Sequence, residues 1–204
     1  MRTKWQIYFS RPNKRNIFIG TQVFLVVTLL SFLHFLSFNE ARPGFHFNDP
    51  ILRLFHPIPL SQYIFFVNYV LSVYGLITAF QEPKLFIKLA QAYSLLILMR
   101  MLTLYLVPLE PPDLIIPLKD SILQSSFYAG RANLKDLFFS GHTSTLFLFA
   151  FCLQNKGQKL LFTAGGITVG VLLVLQQVHY SIDVIAAPVF SYAAVKLQQK
   201  INIQ

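Results

Sequence analysis

Six apolar runs, each ended by charged, proline- or asparagine-containing punctuation, constrain this chain of 204 residues more than any other feature. They lie at approximately 16–38, 61–80, 85–107, 137–154, 160–178 and 181–197, the fourth and sixth being short. A helix rises ~1.5 Å per residue, so ~20 residues cover the ~30 Å hydrocarbon layer of a bilayer. Charged residues make up 12% of the chain and hydrophobic ones 54%. Soluble domains carry about 25% charged residues, so a water-facing surface is not what this composition builds. The expected fold is an all-α membrane protein, a six-transmembrane-helix bundle. Repeats, low-complexity tracts and long loops are absent from the pattern, which predicts a single integral membrane domain over 1–204.

The net charge of +9 does not gather into a nucleic-acid-binding patch, and no nucleic acid partner is expected. Basic residues instead mark the ends of the apolar runs. Arg2, Lys4, Arg11, Lys14 and Arg15 precede the first run, and Lys84/Lys88, Lys156/Lys159 and Lys196/Lys200 mark three further ends. By the positive-inside rule these ends are cytoplasmic, as are both termini. Arg42, Arg53, Lys119, Arg131 and Lys135 fall on the expected outer side, with Arg100 inside the third run. Every acidic residue except Glu82 lies on or near that outer side, Asp120 among them. The first run resembles a signal peptide, but it is too long and lacks an A-x-A site, so it reads as a retained helix. Cys152, the single cysteine, sits in an apolar run and reads as a small packing residue.

Ionisable groups inside a bilayer cost roughly 2.5–3.5 kcal/mol each, so those that converge at one depth call for an explanation. Arg100, near the outer end of the third run, is joined by His142, His179 and Asp183 from the fourth, fifth and sixth. His179 and Asp183 are spaced i, i+4 and share a helical face if the sixth helix begins early enough. The carboxylate can then hold Nδ1–H of the imidazole and leave Nε2 as nucleophile or base. His142 is placed to give a proton to a leaving oxygen. Arg100 offers a planar fork of donors to phosphate oxygens. Gly141 lets backbone amides approach an anion at a helix N-terminus. These parts suit phosphoryl-type transfer through a phosphohistidine. His34, His46 and His56 read as structural.

Ser140-Gly141-His142-Thr143, followed 37 residues after its histidine by His179-Tyr180-Ser181-Ile182-Asp183-Val184, resembles the type-2 phosphatidic acid phosphatase superfamily. Within it, the sphingomyelin synthase-like branch is the nearer match. That branch carries S-G-H-T and H-Y-[ST]-x-D-V, and an R-x-x-T element before a proline-rich loop. Arg100-Met101-Leu102-Thr103, followed by Pro108, Pro111 and Pro112, is similar to that element. Gly44-Phe45-His46-Phe47-Asn48-Asp49-Pro50 weakly resembles the branch's first outer loop. The phosphatase pattern K-x6-R-P is absent, and Leu173 stands where the phosphatases have arginine. Asp136 keeps the acid of the branch's Cys-Gly-Asp run, while Leu134 and Lys135 replace its first two residues.

The resemblance implies a transferase of substituted phosphate groups with His142, His179 and Asp183 as catalytic residues. His179 would attack the phosphorus of a glycerophospholipid such as phosphatidylcholine or phosphatidylethanolamine. His142 would protonate the departing diacylglycerol, and a ceramide-like alcohol would accept the head group. Arg100, Ser140, Gly141 and Asp136 would bind substrate, with Glu110 a further residue able to shape the pocket. No metal and no cofactor are implied, and homo-oligomerisation is left open. The expected location is the plasma (inner) membrane, with the site facing outward. Two other readings stay open at this point: a lipid phosphatase or phospholipase C-like hydrolase, and a small transporter or membrane scaffold.

Overall fold

Residues 3–118 and 133–201 are described by a computed structural model, so Lys119, Asp120 and Arg131 lie outside the described residues. Among those described, the chain is all-α, with seven helices and no sheet. The helices are α1 (Lys4–Phe9), α2 (Pro12–Ala41), α3 (Ser61–Phe80), α4 (Pro83–Leu106), α5 (Gly141–Cys152), α6 (Lys156–Leu175) and α7 (Ser181–Ile201). Four of them, α2, α3, α4 and α6, are long and apolar enough to cross a bilayer, and α5 is a shorter apolar helix. Such a set suggests an integral membrane protein. The sixth expected span, α7, has sufficient length but carries buried Asp183, Ser191 and Gln198, and Lys196 and Lys200 near its end.

The run expected at 137–154 is helical only over 12 residues. At ~1.5 Å per residue that is ~18 Å, too short to cross ~30 Å of hydrocarbon. Leu137–Phe139 continue the apolar pattern but not the helix, because Ser140 caps it. The Ser140 Oγ accepts the Thr143 N–H at 3.4 Å, and its backbone stays out of the helical region at ψ 120. Asn155 starts α6 in the same manner, its side chain accepting the Gln158 N–H at 3.1 Å.

Helix α5 is buried on most of its surface and sits at the centre of the bundle, against α3, α4, α6 and α7. Leu146 and Phe149 of α5 share the core with Ile64, Leu96, Phe162, Leu173 and Ala194. Glycines let α6 approach closely. A Cβ at Gly166 would come within 2.9 Å of the Phe147 ring, and one at Gly170 within 2.5 Å of Val184 Cγ1. Helix α2 is peripheral and packs chiefly on α4. Its buried residues are Thr21, Thr28, Leu36 and Asn39, while Val23, Val26, Val27 and Leu30 are exposed.

Two segments cross at the end of the bundle where α2 and α4 finish. Phe45 N–H donates to Pro108 O and Glu110 N–H to Phe45 O, each at 3.0 Å. Gly44 permits the crossing, since a Cβ there would stand 2.8 Å from the Leu109 carbonyl carbon. At the other end α1 folds back onto the α3–α4 turn. Trp5 Nε1 donates to Phe80 O at 2.7 Å, and Lys4 Nζ pairs with Glu82 at 2.6 Å.

Candidate active site

The turn between α6 and α7 carries His179. After α6 stops, Gln177 N–H donates to Val174 O at 2.9 Å and Val178 N–H to Leu173 O at 3.0 Å. That double closure needs one residue in the left-handed region, a position glycine usually fills. Here Gln177 holds it, at φ 56. Its side-chain amide donates to Leu52 O at 3.0 Å and Phe55 O at 3.1 Å. The preceding Gln176 is fully buried, accepts the Leu60 N–H at 2.8 Å, and donates to Ser61 Oγ and Ile116 O. Two amide side chains thus tie this turn to the segments before α3 and after α4.

His179 Nδ1 lies 3.2 Å from Asp183 Oδ2, with both residues buried. The expected shared helical face is not the cause. Helix α7 begins at Ser181, after His179, so the contact spans a helix start. Asp183 occupies the first turn, where the same Oδ2 also accepts the Tyr180 N–H at 3.1 Å. A first-turn carboxylate is favourable there because amide hydrogens at a helix N-terminus lack partners within the helix.

The start of α5 abuts this dyad. Ser140 N–H donates to Asp183 O at 3.1 Å, joining the cap of α5 to the first turn of α7. Arg100, from the last two turns of α4, reaches the same place. It is 5% exposed and pairs through Nη2 with Asp136 Oδ1. Its guanidinium lies over the Phe32 ring at 5.4 Å and the Phe139 ring at 5.9 Å. A Cβ added at Gly141 would run into that guanidinium, so glycine here makes room for a cation. Among the described residues, two buried polar atoms of the site have no hydrogen-bond partner, Arg100 Nε and Asp183 Oδ1.

His142 stands in the first turn of α5, half-buried, with its ring edge-on to Phe65 at 5.7 Å. Asn68 Nδ2 donates to its carbonyl at 3.2 Å, fixing α5 against α3. The structure therefore brings Arg100, Asp136, Ser140, Gly141, His179 and Asp183 into one connected group, with His142 one residue beyond Gly141. Glu110 is placed differently. It pairs with Lys135 Nζ at 2.8 Å and accepts the Gly44 N–H at 2.7 Å. The Lys135 hydrogen bond, then that amide, hold its carboxyl below the ordinary value. Lys135 also donates its backbone N–H to Glu40 and its Nζ to Arg42 O. His46 faces Asp113 at 3.5 Å, whereas His34 and His56 are exposed.

Asp49, Gln176, Gln177 and Tyr180 support the site without having been singled out for it. Asp49 Oδ2 accepts the Ser181 N–H at 2.6 Å. The Tyr180 hydroxyl donates to Glu110 O at 3.0 Å, and burial raises its pKa above the ordinary phenolic value. The available signals were two adjacent amides at the end of an apolar run and an acid before Pro50. Neither announces its partner, because the partners lie far off in sequence.

Residues 135–200 match the family model described as PAP2 superfamily C-terminal. The matched stretch begins at Lys135 and takes in the cap of α5, His142, His179 and Asp183. It suggests a lipid phosphate-processing enzyme, a transferase or a phosphatase acting on lipid phosphate substrates. No curated protein and no solved structure matches the chain.

Proposed function

We propose that this protein is a phospholipid head-group transferase, moving phosphocholine or phosphoethanolamine from a glycerophospholipid to ceramide or a similar lipid alcohol. The observation that carries the reading is the buried His179–Asp183 dyad, joined by one backbone bond to the cap of the helix bearing His142. Asp183 holds Nδ1–H and leaves Nε2 as the nucleophile. Nε2 attacks phosphorus, the bond to the diacylglycerol oxygen breaks, and His142 gives that oxygen a proton. The head group then rests on His179 as a phosphoramidate. A lipid hydroxyl attacks it, His142 takes the hydroxyl proton, and the P–N bond breaks. Arg100 and the start of α5 supply positive potential for the phosphate oxygens, and Arg100 Nε, without a partner among the described residues, is a donor still to be used.

In this reading the chain crosses the bilayer six times as a single domain, with both termini cytoplasmic, the fourth crossing being made by α5 together with the non-helical apolar Leu137–Phe139 ahead of it. The site then faces the outer side of the plasma (inner) membrane. The basic residues at the α3–α4 turn, the α5–α6 turn and the end of α7 support that orientation. The absence of the phosphatase arginine at Leu173 favours transfer over hydrolysis. The test is purified protein in liposomes with head-group-labelled phosphatidylcholine or phosphatidylethanolamine, with and without ceramide. Label moving into a ceramide product supports transfer. Label released only as soluble head group makes the enzyme a hydrolase, and no turnover at all returns the chain to a transporter or scaffold.

A further inference from the structure

The amide just before α7 and the first amide within it are both capped by carboxylates, but from different directions. Asp183 takes the Tyr180 N–H from within the helix's own first turn. Asp49 takes the Ser181 N–H from the segment after α2, across 132 positions of sequence, at 2.6 Å. Asp49 is 4% exposed and is itself anchored, because its Oδ1 accepts the Ile51 N–H at 2.9 Å across Pro50. Phe47 packs edge-on against the Tyr180 ring at 5.4 Å on the same side.

We infer that Asp49 is a positioning residue for His179: by capping α7 from outside, it keeps the Asp183 carboxylate committed to the imidazole. The inference rests on the proposed role of His179. The amides at a helix N-terminus need acceptors, and a carboxylate in the first turn readily serves them. With Asp49 gone, Asp183 is the carboxylate in the helix's own first turn, and its Oδ1 has no partner among the described residues. Drawn toward the Ser181 amide, Asp183 would leave Nδ1 of His179, and the ring would lose its fixed tautomer and direction. Gln177 anchors the turn on the other side of His179, so Asp49 and Gln177 bracket the residue. Both bind it to the same stretch, residues 49–55.

Asp49→Ala removes the acceptor, while Asp49→Asn keeps an oxygen at the same reach. Both are tested in the full-length protein in liposomes of phosphatidylcholine and ceramide. For Asp49→Ala, kcat should fall about tenfold or more with KM changed by less than about twofold, the pattern of lost positioning instead of lost binding. Asp49→Asn should keep about half of the wild-type kcat, since the amide is still capped. Carbethoxylation of His179 by diethyl pyrocarbonate, followed by peptide mass spectrometry, should quicken about threefold or more in Asp49→Ala and not in Asp49→Asn.

The labelling requires no turnover. Absence of lipid turnover in the wild type would sink the proposed function, and labelling would still decide the role of Asp49. Wild-type kcat with wild-type labelling in Asp49→Ala overturns the inference, and so does equal impairment of the two variants. If Asp49→Ala does not insert, Asp49→Asn decides alone. Retained activity and unchanged labelling support the inference, and a loss of about tenfold or more in the inserted protein overturns it.

Discussion

His179 and Asp183 meet across the beginning of a helix, Nδ1 to Oδ2 at 3.2 Å, with the histidine outside α7 and the aspartate in its first turn. The ring is therefore held by a helix cap, and its direction depends on everything that fixes where α7 starts.

Replacing His179 by Ala should abolish lipid turnover, and Asp183→Asn should lower kcat by up to about 10⁴-fold, the loss that follows when the aspartate partner of a catalytic imidazole is neutralised. Insertion into the membrane should persist in both. Turnover assays paired with a protease-protection assay of the inserted protein separate the two effects. Lipid turnover unaffected by either change would remove the dyad from the chemistry.

Gly141→Ala should damage both stability and activity, because the added Cβ falls on the Arg100 guanidinium. The cation cannot retreat easily, being sandwiched near Phe32 and Phe139 and paired with Asp136. Overpacking of a filled site costs about 1–3 kcal/mol, so a lowered unfolding temperature in detergent should accompany the lost turnover. Arg100→Lys should also fail to restore function, since an ammonium cannot reproduce a planar fork.

The Lys135–Glu110 pair should make the structure acid-sensitive. The folded-state carboxyl of Glu110 lies below its ordinary value of 4.5, so its contribution is present above the unfolded pKa. That contribution is lost as pH falls through the lower, folded value. Thermal unfolding measured from neutral pH down to about pH 3 should show a steeper decline for wild type than for Glu110→Gln. Parallel curves would mean that the pair carries no pH-linked stability.

Gln177→Gly relieves a left-handed residue but removes two hydrogen bonds to the carbonyls of Leu52 and Phe55. At about 1 kcal/mol for each bond against about 1 kcal/mol of relieved strain, the net loss should be near 1 kcal/mol. Unfolding of the Gln177→Gly protein checks the sign. A clear gain in stability would mean that the amide bonds matter less than the backbone.

The legible parts of this molecule were those written locally. Helix α3 begins at Ser61 and ends at Phe80, as its flanking Gln81-Glu82-Pro83 punctuation predicts. Arg100, His142, His179 and Asp183 were identifiable because charge within an apolar run is costly and therefore conspicuous. The start of α5 was misplaced because Leu137–Phe139 are apolar and read as helix, whereas Ser140 stops it by a side-chain bond. Asp49 and the two glutamines were missed for a different reason. Their partners lie tens to more than a hundred positions away, and no periodicity encodes a cap supplied from another loop.

Helix α2 turns Thr21, Thr28, Leu36 and Asn39 inward and Val23, Val26, Val27 and Leu30 outward. Its grip on the bundle thus depends on the solvent around it as much as on its neighbours. Near its end, Asn39 donates to Lys135 O and Glu40 accepts the Lys135 N–H, one residue before the acid that pairs with Arg100. Choice of detergent is then a chemical variable of the site. A micelle that lets α2 drift would pull on Asp136, and an inactive preparation would report extraction damage before it reported the wrong substrate.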